Sequence, residues 1–204
     1  DMTEDLVEIY KYSKKLMPLI HLPVQSGSDK ILNLMNRKHT IKEYLKTHER
    51  LKKINPSIEF SSDFIIAYPG EEEKDFRETL NLIEDVKFIN SYSFIFSPRP
   101  GTIADGLKTI DKKISLERLE KVQEKLFENQ IIKNKSLENK IINVLAENQN
   151  EDRSKIFGRS EYMTSVIFEG NKRDIGKILQ VKIIKSNRNT LFGKVIDNLK
   201  QKVA

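Results

Sequence analysis

Residues 19–29 read Leu-Ile-His-Leu-Pro-Val-Gln-Ser-Gly-Ser-Asp, and this stretch points to the fold class. Its first six residues are mostly apolar and too few for a helix, which predicts a short buried strand. The next five supply an amide, two hydroxyls and a glycine, and a helical pattern follows from Ile31. A strand that ends in polar residues ahead of a helix is a β/α unit, and α/β folds place their ligand site at that end of the sheet.

The chain on either side of this stretch repeats the pattern and then changes it. Further strands are predicted at 58–68 and 91–96, and helices at 1–15, 29–36, 40–54, from 71 onward and at 115–137. From about Asn139 the apolar residues recur with period two, which predicts strands at 141–145, 162–168, 177–185 and 190–196. We therefore predict an α/β domain over 1–137, followed by an all-β domain over 138–204 of the small OB-like barrel type.

Composition excludes several kinds of protein. The 204 residues are 38% hydrophobic and 32% charged, and no apolar run approaches the roughly 20 residues of a membrane-spanning helix. We therefore expect no membrane partner. The sequence contains no cysteine, so this chain can form no disulfide and can bind no zinc or iron–sulfur cluster through cysteine. We expect no metal site in it, and its composition fits a cytoplasmic protein.

Charge is distributed unevenly between the two predicted domains. Residues 138–204 hold 13 Lys and Arg against 8 Asp and Glu, a net +5 of the total +6. A basic β-domain favours a nucleic-acid partner, and a solvated surface of uneven charge is the alternative. The candidate RNA-contacting cations are Arg159, Lys172, Arg173, Arg188 and Lys194.

Four polar residues lie in or just after the predicted strands and the short helix 29–36: Gln25, Arg37, Asp63 and Arg99. In a parallel sheet they could meet around one small zwitterion, with Arg37 for a carboxylate and Asp63 for an ammonium or a ribose hydroxyl. Ordinary capping and helix–loop ion pairs are the alternative. His21 lies inside the apolar run and is interpreted as a hydrogen-bonded core residue. The run Glu71–Glu73 is interpreted as the first turn of a helix.

Several motifs in order closely resemble the radical-SAM methylthiotransferases, and most nearly their tRNA-modifying members. The motifs are residues 21–28, 35–40, 61–65, 69–71, 92–94 and 97–102. Residues 158–160 and 191–195 resemble the family's TRAM domain, a small RNA-binding β-barrel. The resemblance covers essentially the whole chain.

The resemblance implies a fold and a cofactor site. The first domain would be the C-terminal half of a partial, TIM-like (β/α) radical-SAM barrel, and the second would be TRAM. Gln25, Arg37 and Asp63 would hold S-adenosylmethionine, with Ser26 and the Ser97–Arg99 segment nearby. One position departs from the family pattern, because Ala67 stands where the family usually has glycine, and its methyl group could crowd the ligand.

The resemblance also implies the function of the complete enzyme. Such enzymes use S-adenosylmethionine and [4Fe–4S] clusters to install a 2-methylthio group on N(6)-dimethylallyladenosine next to the tRNA anticodon. This chain lacks the cluster cysteines. It is therefore expected to bind no cluster and to be inactive alone, and a separately encoded N-terminal half is one expected partner. The alternatives are a stand-alone RNA-binding remnant without catalysis and the sister enzyme that methylthiolates a ribosomal protein.

Overall fold

The computed structural model describes residues 2–13, 15–149 and 154–196. The helices are α1 (Glu4–Tyr12), α2 (Asp29–Leu34), α3 (Ile41–Ile54), α4 (Glu73–Val86) and α5 (Lys112–Ser136). The strands are β1 (Leu19–His21), β2 (Glu59–Ser61), β3 (Asp63–Ile66), β4 (Tyr92–Ile95), β5 (Ile141–Gln149), β6 (Lys155–Ser160), β7 (Ser165–Glu169), β8 (Ile178–Ser186) and β9 (Thr190–Val195). Short 3-10 helices span Ile103–Gly106 and Lys172–Asp174. The predicted order of an α/β region followed by a β-barrel is confirmed.

The α/β region is built on parallel strands. Strand β1 pairs with β2, and β3 pairs with β4, in both cases in parallel. The predicted strand 58–68 is thus two strands that follow each other with only Ser62 between them. Gln25 forms an isolated parallel bridge with Phe64, which links the end of the first strand segment to β3. The carboxyl ends of the strands therefore lie at one edge, as a β/α arrangement requires.

Local signals set the helix ends. Thr40 caps α3 with the predicted capping box, because its hydroxyl accepts from the Glu43 N–H while the Glu43 carboxylate accepts from the Thr40 N–H. Helix α4 begins later than predicted, at Glu73, with Glu72 at the N-cap position. Glu71 therefore lies outside the helix, where it is buried rather than exposed in a first turn.

The main core of the α/β region joins side chains of the helices to side chains of the strands, and a smaller cluster packs around Ile31 and Tyr68. The largest fully buried side chains of the main core are aromatic, and the rings of Phe64 and Phe88 meet edge to face at 5.3 Å. Such a pair contributes beyond simple area burial, by about 0.5–1.5 kcal/mol. Phe60 packs beside them and also contacts the ring of His48 at 4.5 Å.

The second region is a closed barrel with strand order β5-β6-β7-β9-β8. Every neighbouring pair is antiparallel except β7 and β9, which run parallel. Alternate residues point inward, and the fully buried ones form the barrel core: Val144, Ile156, Val166, Phe168, Val181, Ile183 and Leu191. Closure leaves no free sheet edge, which is how small β-domains avoid pairing with other chains.

Strand β6 was not among the predicted strands, and its residues explain why. Gly158 lies in its middle, and glycine is depleted in strands. A Cβ at this position would collide with the carbonyl oxygen of Leu145 on β5. Glycine is therefore needed for the close approach of the two strands, and this need depends on a partner strand distant in sequence.

The chain divides into two compact units between Asn129 and Gln130, within α5. The predicted boundary falls after residue 137. The last turn of α5 belongs with the barrel, since the amide nitrogen of buried Asn134 donates to the backbone carbonyl oxygens of Asn187 and Arg188 at 2.8 and 2.9 Å. The assignment of the two domains at 137/138 stays a prediction.

His48 predicts a pH dependence of stability. Burial lowers the pKa of His48 below its ordinary value of 6.5, and Lys52 adds to the effect, so the folded state binds the proton less tightly than the unfolded chain. The contribution of the neutral His48 side chain to the free energy of unfolding is complete well above pH 6.5, and it is lost as the pH falls through that value. We expect His48→Leu to reduce the loss of unfolding free energy between about pH 8 and about pH 5.5, measured by urea denaturation. An unchanged loss would contradict this account.

Candidate cofactor cleft and nucleic-acid interface

A cleft of about 660 Å³ lies along β3 and β4 and extends into the loop after β4. Five of the six predicted cofactor-binding residues line it: Gln25, Arg37, Asp63, Ser97 and Arg99. Apolar side chains complete the wall, namely Met35, Ile65, Tyr68, Phe94, Ile95, Phe96 and Ala104, together with Thr102. The cleft thus combines an apolar lining with a few convergent polar groups, as small-molecule sites do. The roles of these residues in binding a ligand stay predictions.

Gln25 is held in a strained backbone conformation at the cleft. Its φ is 74°, in the left-handed region that non-glycine residues seldom adopt. Its backbone pairs on both sides with β3, because its N–H donates to the Asp63 carbonyl at 3.0 Å and its carbonyl accepts from Ile65 at 2.9 Å. Strain of this kind persists only where surrounding bonds impose it, and it clusters at ligand sites.

Asp63 has a neighbour that the sequence did not reveal. His21 Nε2 lies 3.5 Å from Asp63 Oδ2, and His21 Nδ1 is hydrogen-bonded to Ser61 Oγ at 2.6 Å. The interpretation of His21 as a core residue is wrong, because its side chain is 48% exposed. Alternation along β1 could have shown this, since His21 is one residue after buried Ile20 and therefore points to the opposite face.

Two arginines supply the positive charge of the cleft. Arg37 follows α2, where its N–H donates to the Leu32 carbonyl, and Arg99 lies in the loop after β4. Both are exposed, and within the described ranges neither has a carboxylate within 4 Å. The cleft therefore presents two cations and one carboxylate, which matches the opposite charges of an amino-acid zwitterion.

Ser26 lies apart from the other predicted residues. It is 1% exposed, its hydroxyl lies 3.4 Å from Thr79 Oγ1, and it accepts from the Ser28 N–H at 3.2 Å. Gly27 follows it and donates its N–H to the same Thr79 hydroxyl at 2.9 Å. The structure therefore places Ser26 in the contact between the strand-end loop and α4, rather than among the residues that line the cleft.

Ala67 closes β3 with a φ of 59°. Its N–H donates to Glu71 Oε1 at 3.1 Å, and the same oxygen accepts from Arg118 Nη1 at 2.8 Å. Burial raises the pKa of Glu71, and the adjacent Arg118 guanidinium opposes the rise. Ala67 does not line the 660 Å³ cleft. It lines a separate cavity of about 280 Å³, of which Ile95 and Phe96 also form part of the wall.

The predicted RNA-contacting cations are spread over the barrel. Lys172 and Arg173 are exposed on the second 3-10 helix, Arg188 is exposed in the β8–β9 turn, and Lys194 is exposed on β9. Arg159 is more engaged, because its Nη1 donates to the Met163 carbonyl at 3.2 Å and its Nε lies 3.6 Å from the Glu147 carboxylate. Their roles stay predictions.

The described residues contain neither a metal-binding cluster of side chains nor a membrane-spanning helix. Among residues 2–13, 15–149 and 154–196, no group of three or more His, Cys, Asp or Glu side chains could hold a metal ion. Within the same ranges, no helix is both long and apolar enough to cross a membrane.

Comparison with known proteins relates both regions to described families. The sequence model of the Radical SAM superfamily matches residues 1–83, and that of the TRAM domain matches residues 135–196. The chain is 69% identical over its whole length to a Pelagibacter ubique protein named tRNA-2-methylthio-N(6)-dimethylallyladenosine synthase, and it covers 46% of that protein. Proteins of the same name from Wolbachia pipientis (strain wPip) and Rickettsia akari are 45% and 43% identical over 95% and 96% of the chain, which covers 44% of each. The chain thus spans about half the length of these relatives.

Proposed function

Because this chain belongs to the radical-SAM methylthiotransferases and carries both a radical-SAM portion and a TRAM domain, we propose that it serves as the cofactor- and RNA-binding part of a tRNA methylthiotransferase. The reaction proposed for the complete enzyme is 2-methylthiolation of N(6)-dimethylallyladenosine in tRNA. The relatives that carry this name support the proposal, and the cleft along β3 and β4 is the observation that carries it.

The residues of the cleft fit S-adenosylmethionine. Arg37 or Arg99 would bind its carboxylate, and Asp63 would bind its ammonium group or its ribose hydroxyls. The apolar wall formed by Tyr68 and Phe96 would contact its adenine. When bound beside a reduced iron–sulfur cluster, this cofactor supplies the radical that starts the reaction. The residues of this chain would bind it, orient it and exclude water.

In contrast to S-adenosylmethionine, the iron–sulfur clusters have no suitable ligands in the described part of this chain. It has no cysteine, and the described residues offer no alternative group of ligands. We therefore propose that the cluster thiolates come from another segment or a separately encoded N-terminal half, and that this chain alone is catalytically inactive. The proposed place of action is the cytoplasm, where tRNA is modified.

The barrel is proposed to bind the tRNA. Residues 138–204 carry a net charge of +5, which favours a phosphate backbone through release of its counterions. The alternative is an RNA-binding remnant without cofactor chemistry. Such a protein would not bind S-adenosylmethionine in the cleft.

Arg37 provides the test. We expect the chain to bind S-adenosylmethionine, and we expect Arg37→Ala to weaken that binding about 10- to 100-fold, because a hydrogen bond to a charged group is worth about 1.5–3 kcal/mol. Thermal stability should change little, since Arg37 is exposed. The measurement is isothermal titration calorimetry with parallel thermal melts.

The control for this experiment is Lys38→Ala, which removes the same charge from the next, exposed residue. If the two variants lost the same affinity for S-adenosylmethionine, the ligand would respond only to the overall positive charge of the cleft and not to a specific contact with Arg37. Absence of any binding by the unaltered chain would favour the RNA-binding remnant, and unfolding of Arg37→Ala would assign Arg37 to the fold.

A further inference from the structure

Two lysines face each other on the outside of the barrel. Lys182 of β8 and Lys194 of β9 are direct partners in the antiparallel ladder, and both are exposed. Side chains that are direct partners point to the same face of a sheet, with Cβ atoms about 4.5–5.5 Å apart. Like charges on side chains that are directly opposite in a sheet are destabilising, so this pair costs the free domain stability.

Most of the described neighbours of this pair are uncharged. On its other side Lys182 pairs with Ile141, and the neighbouring outward residues are Asn143, Leu145, Ile178 and Gln180. Within the described ranges, neither lysine has a carboxylate oxygen within 4 Å. The parallel register of β7 and β9 continues from Phe168 and Gly193 to Glu169 and Lys194, so Glu169 is a neighbour of Lys194 across the strands. Glu169 is also the register partner of Lys155 on β6. By contrast, Lys177 has Asp174 at 4.0 Å.

We propose that the Lys182–Lys194 pair is a phosphate-binding site for the RNA backbone. The inference rests on the proposed function for the identity of the RNA. A phosphodiester placed between two ammonium groups converts their repulsion into two attractions, so the site is destabilising when empty and stabilising when filled. Ile141, the ladder partner of Lys182 on β5, is 55% exposed and offers an apolar surface to the ribose or base.

The first arm of the test needs no RNA. Lys182→Glu replaces the like-charge pair with an opposite-charge pair, so we expect the thermal midpoint of the whole chain to rise by about 1–3 °C in low salt, with the gain shrinking as salt is added. The matched control is Lys177→Glu, which places a second acid beside Asp174 and should lower the midpoint. A midpoint that falls for Lys182→Glu would overturn the repulsion on which the proposal rests.

The second arm measures binding of an unmodified tRNA transcript by fluorescence anisotropy across a salt series. We expect Lys182→Gln to weaken binding about 3- to 10-fold and to reduce the slope of log K against log salt by about 0.7–0.9, the share of one phosphate contact. Lys177→Gln removes the same charge and should change neither quantity as much. Equal effects of the two variants would overturn the site and leave only the general charge of the barrel.

The two arms also separate this inference from the proposed function. If the unaltered chain binds no tRNA while Lys182→Glu raises the thermal midpoint, tRNA is the wrong ligand, and the part of the proposed function that concerns RNA is wrong. If the chain binds tRNA with a normal salt slope and Lys182→Gln binds equally well, the function stands and the Lys182–Lys194 site is wrong.

Discussion

Replacing Gly27 with alanine is expected to destabilise the protein by about 3 kcal/mol or more. A Cβ at residue 27 would lie 2.5 Å from both the carbonyl oxygen of Glu78 and the Cα of Thr79. These are backbone atoms of α4 and cannot rotate away as a side chain could, so the strand-end loop or the helix has to move. The cost therefore falls at the upper end of what overpacking produces.

The measurement is the free energy of unfolding from urea denaturation, with Gly106→Ala as the control. A Cβ at Gly106 would meet no heavy atom within 4 Å, so that variant should change stability by less than about 0.5 kcal/mol. Because Gly27 lies two residues after Gln25, we also expect Gly27→Ala to disturb the cofactor cleft. If the two variants had equal free energies of unfolding, α4 would be able to move away from the added methyl group at little cost.

Breaking the Glu71–Arg118 ion pair is expected to cost about 3–5 kcal/mol. The side chains are only 1% and 10% exposed, and Arg118 Nη1 lies 2.8 Å from Glu71 Oε1. Arg118 also donates to the Glu71 carbonyl oxygen at 3.1 Å, and its guanidinium lies 5.2 Å from the ring centre of Phe76. Removing the arginine leaves a carboxylate in a site from which water is excluded.

The pH dependence of Arg118→Met gives the sharper test. Burial already raises the pKa of Glu71, and loss of Arg118 removes the charge that opposes this rise. A carboxyl group with a raised folded-state pKa stabilises the protein below its unfolded pKa and loses that contribution as the pH rises through the folded value. We therefore expect Arg118→Met to be less destabilised at about pH 5 than at about pH 8.

The control is Lys125→Met, which breaks an exposed pair with Glu84 in which the two side chains are 37% and 57% exposed. Exposed pairs contribute about 0–1 kcal/mol, so this variant should be nearly neutral at both pH values. A similar, pH-independent loss for both variants would show that Arg118 acts through packing rather than charge. Since Glu71 also accepts from the Ala67 N–H, the pair helps to fix the end of β3.

Sequence patterns alone were sufficient for several features. The apolar run before Gln25 predicted the strand and its polar end, and Thr40 with Glu43 predicted the start of α3, because both depend on residues a few positions apart. Period-two alternation after Asn139 predicted the barrel. The motifs predicted the family, and Gln25, Arg37 and Asp63 line one cleft, while their roles as cofactor ligands stay predictions.

Only the tertiary structure revealed the partners that are distant in sequence. Glu71 and Arg118 are 47 positions apart, and nothing near Glu71 distinguishes it from the exposed acids that follow it. Gly27 meets α4 about 50 residues later, and His21 meets Asp63 across two strands. Lys182 faces Lys194 because a register shift between Ile183 and Lys185 changes the pairing of β8 with β9 by one residue. Local propensity and periodicity carry no information about such contacts, which arise when the packed core brings separate elements together.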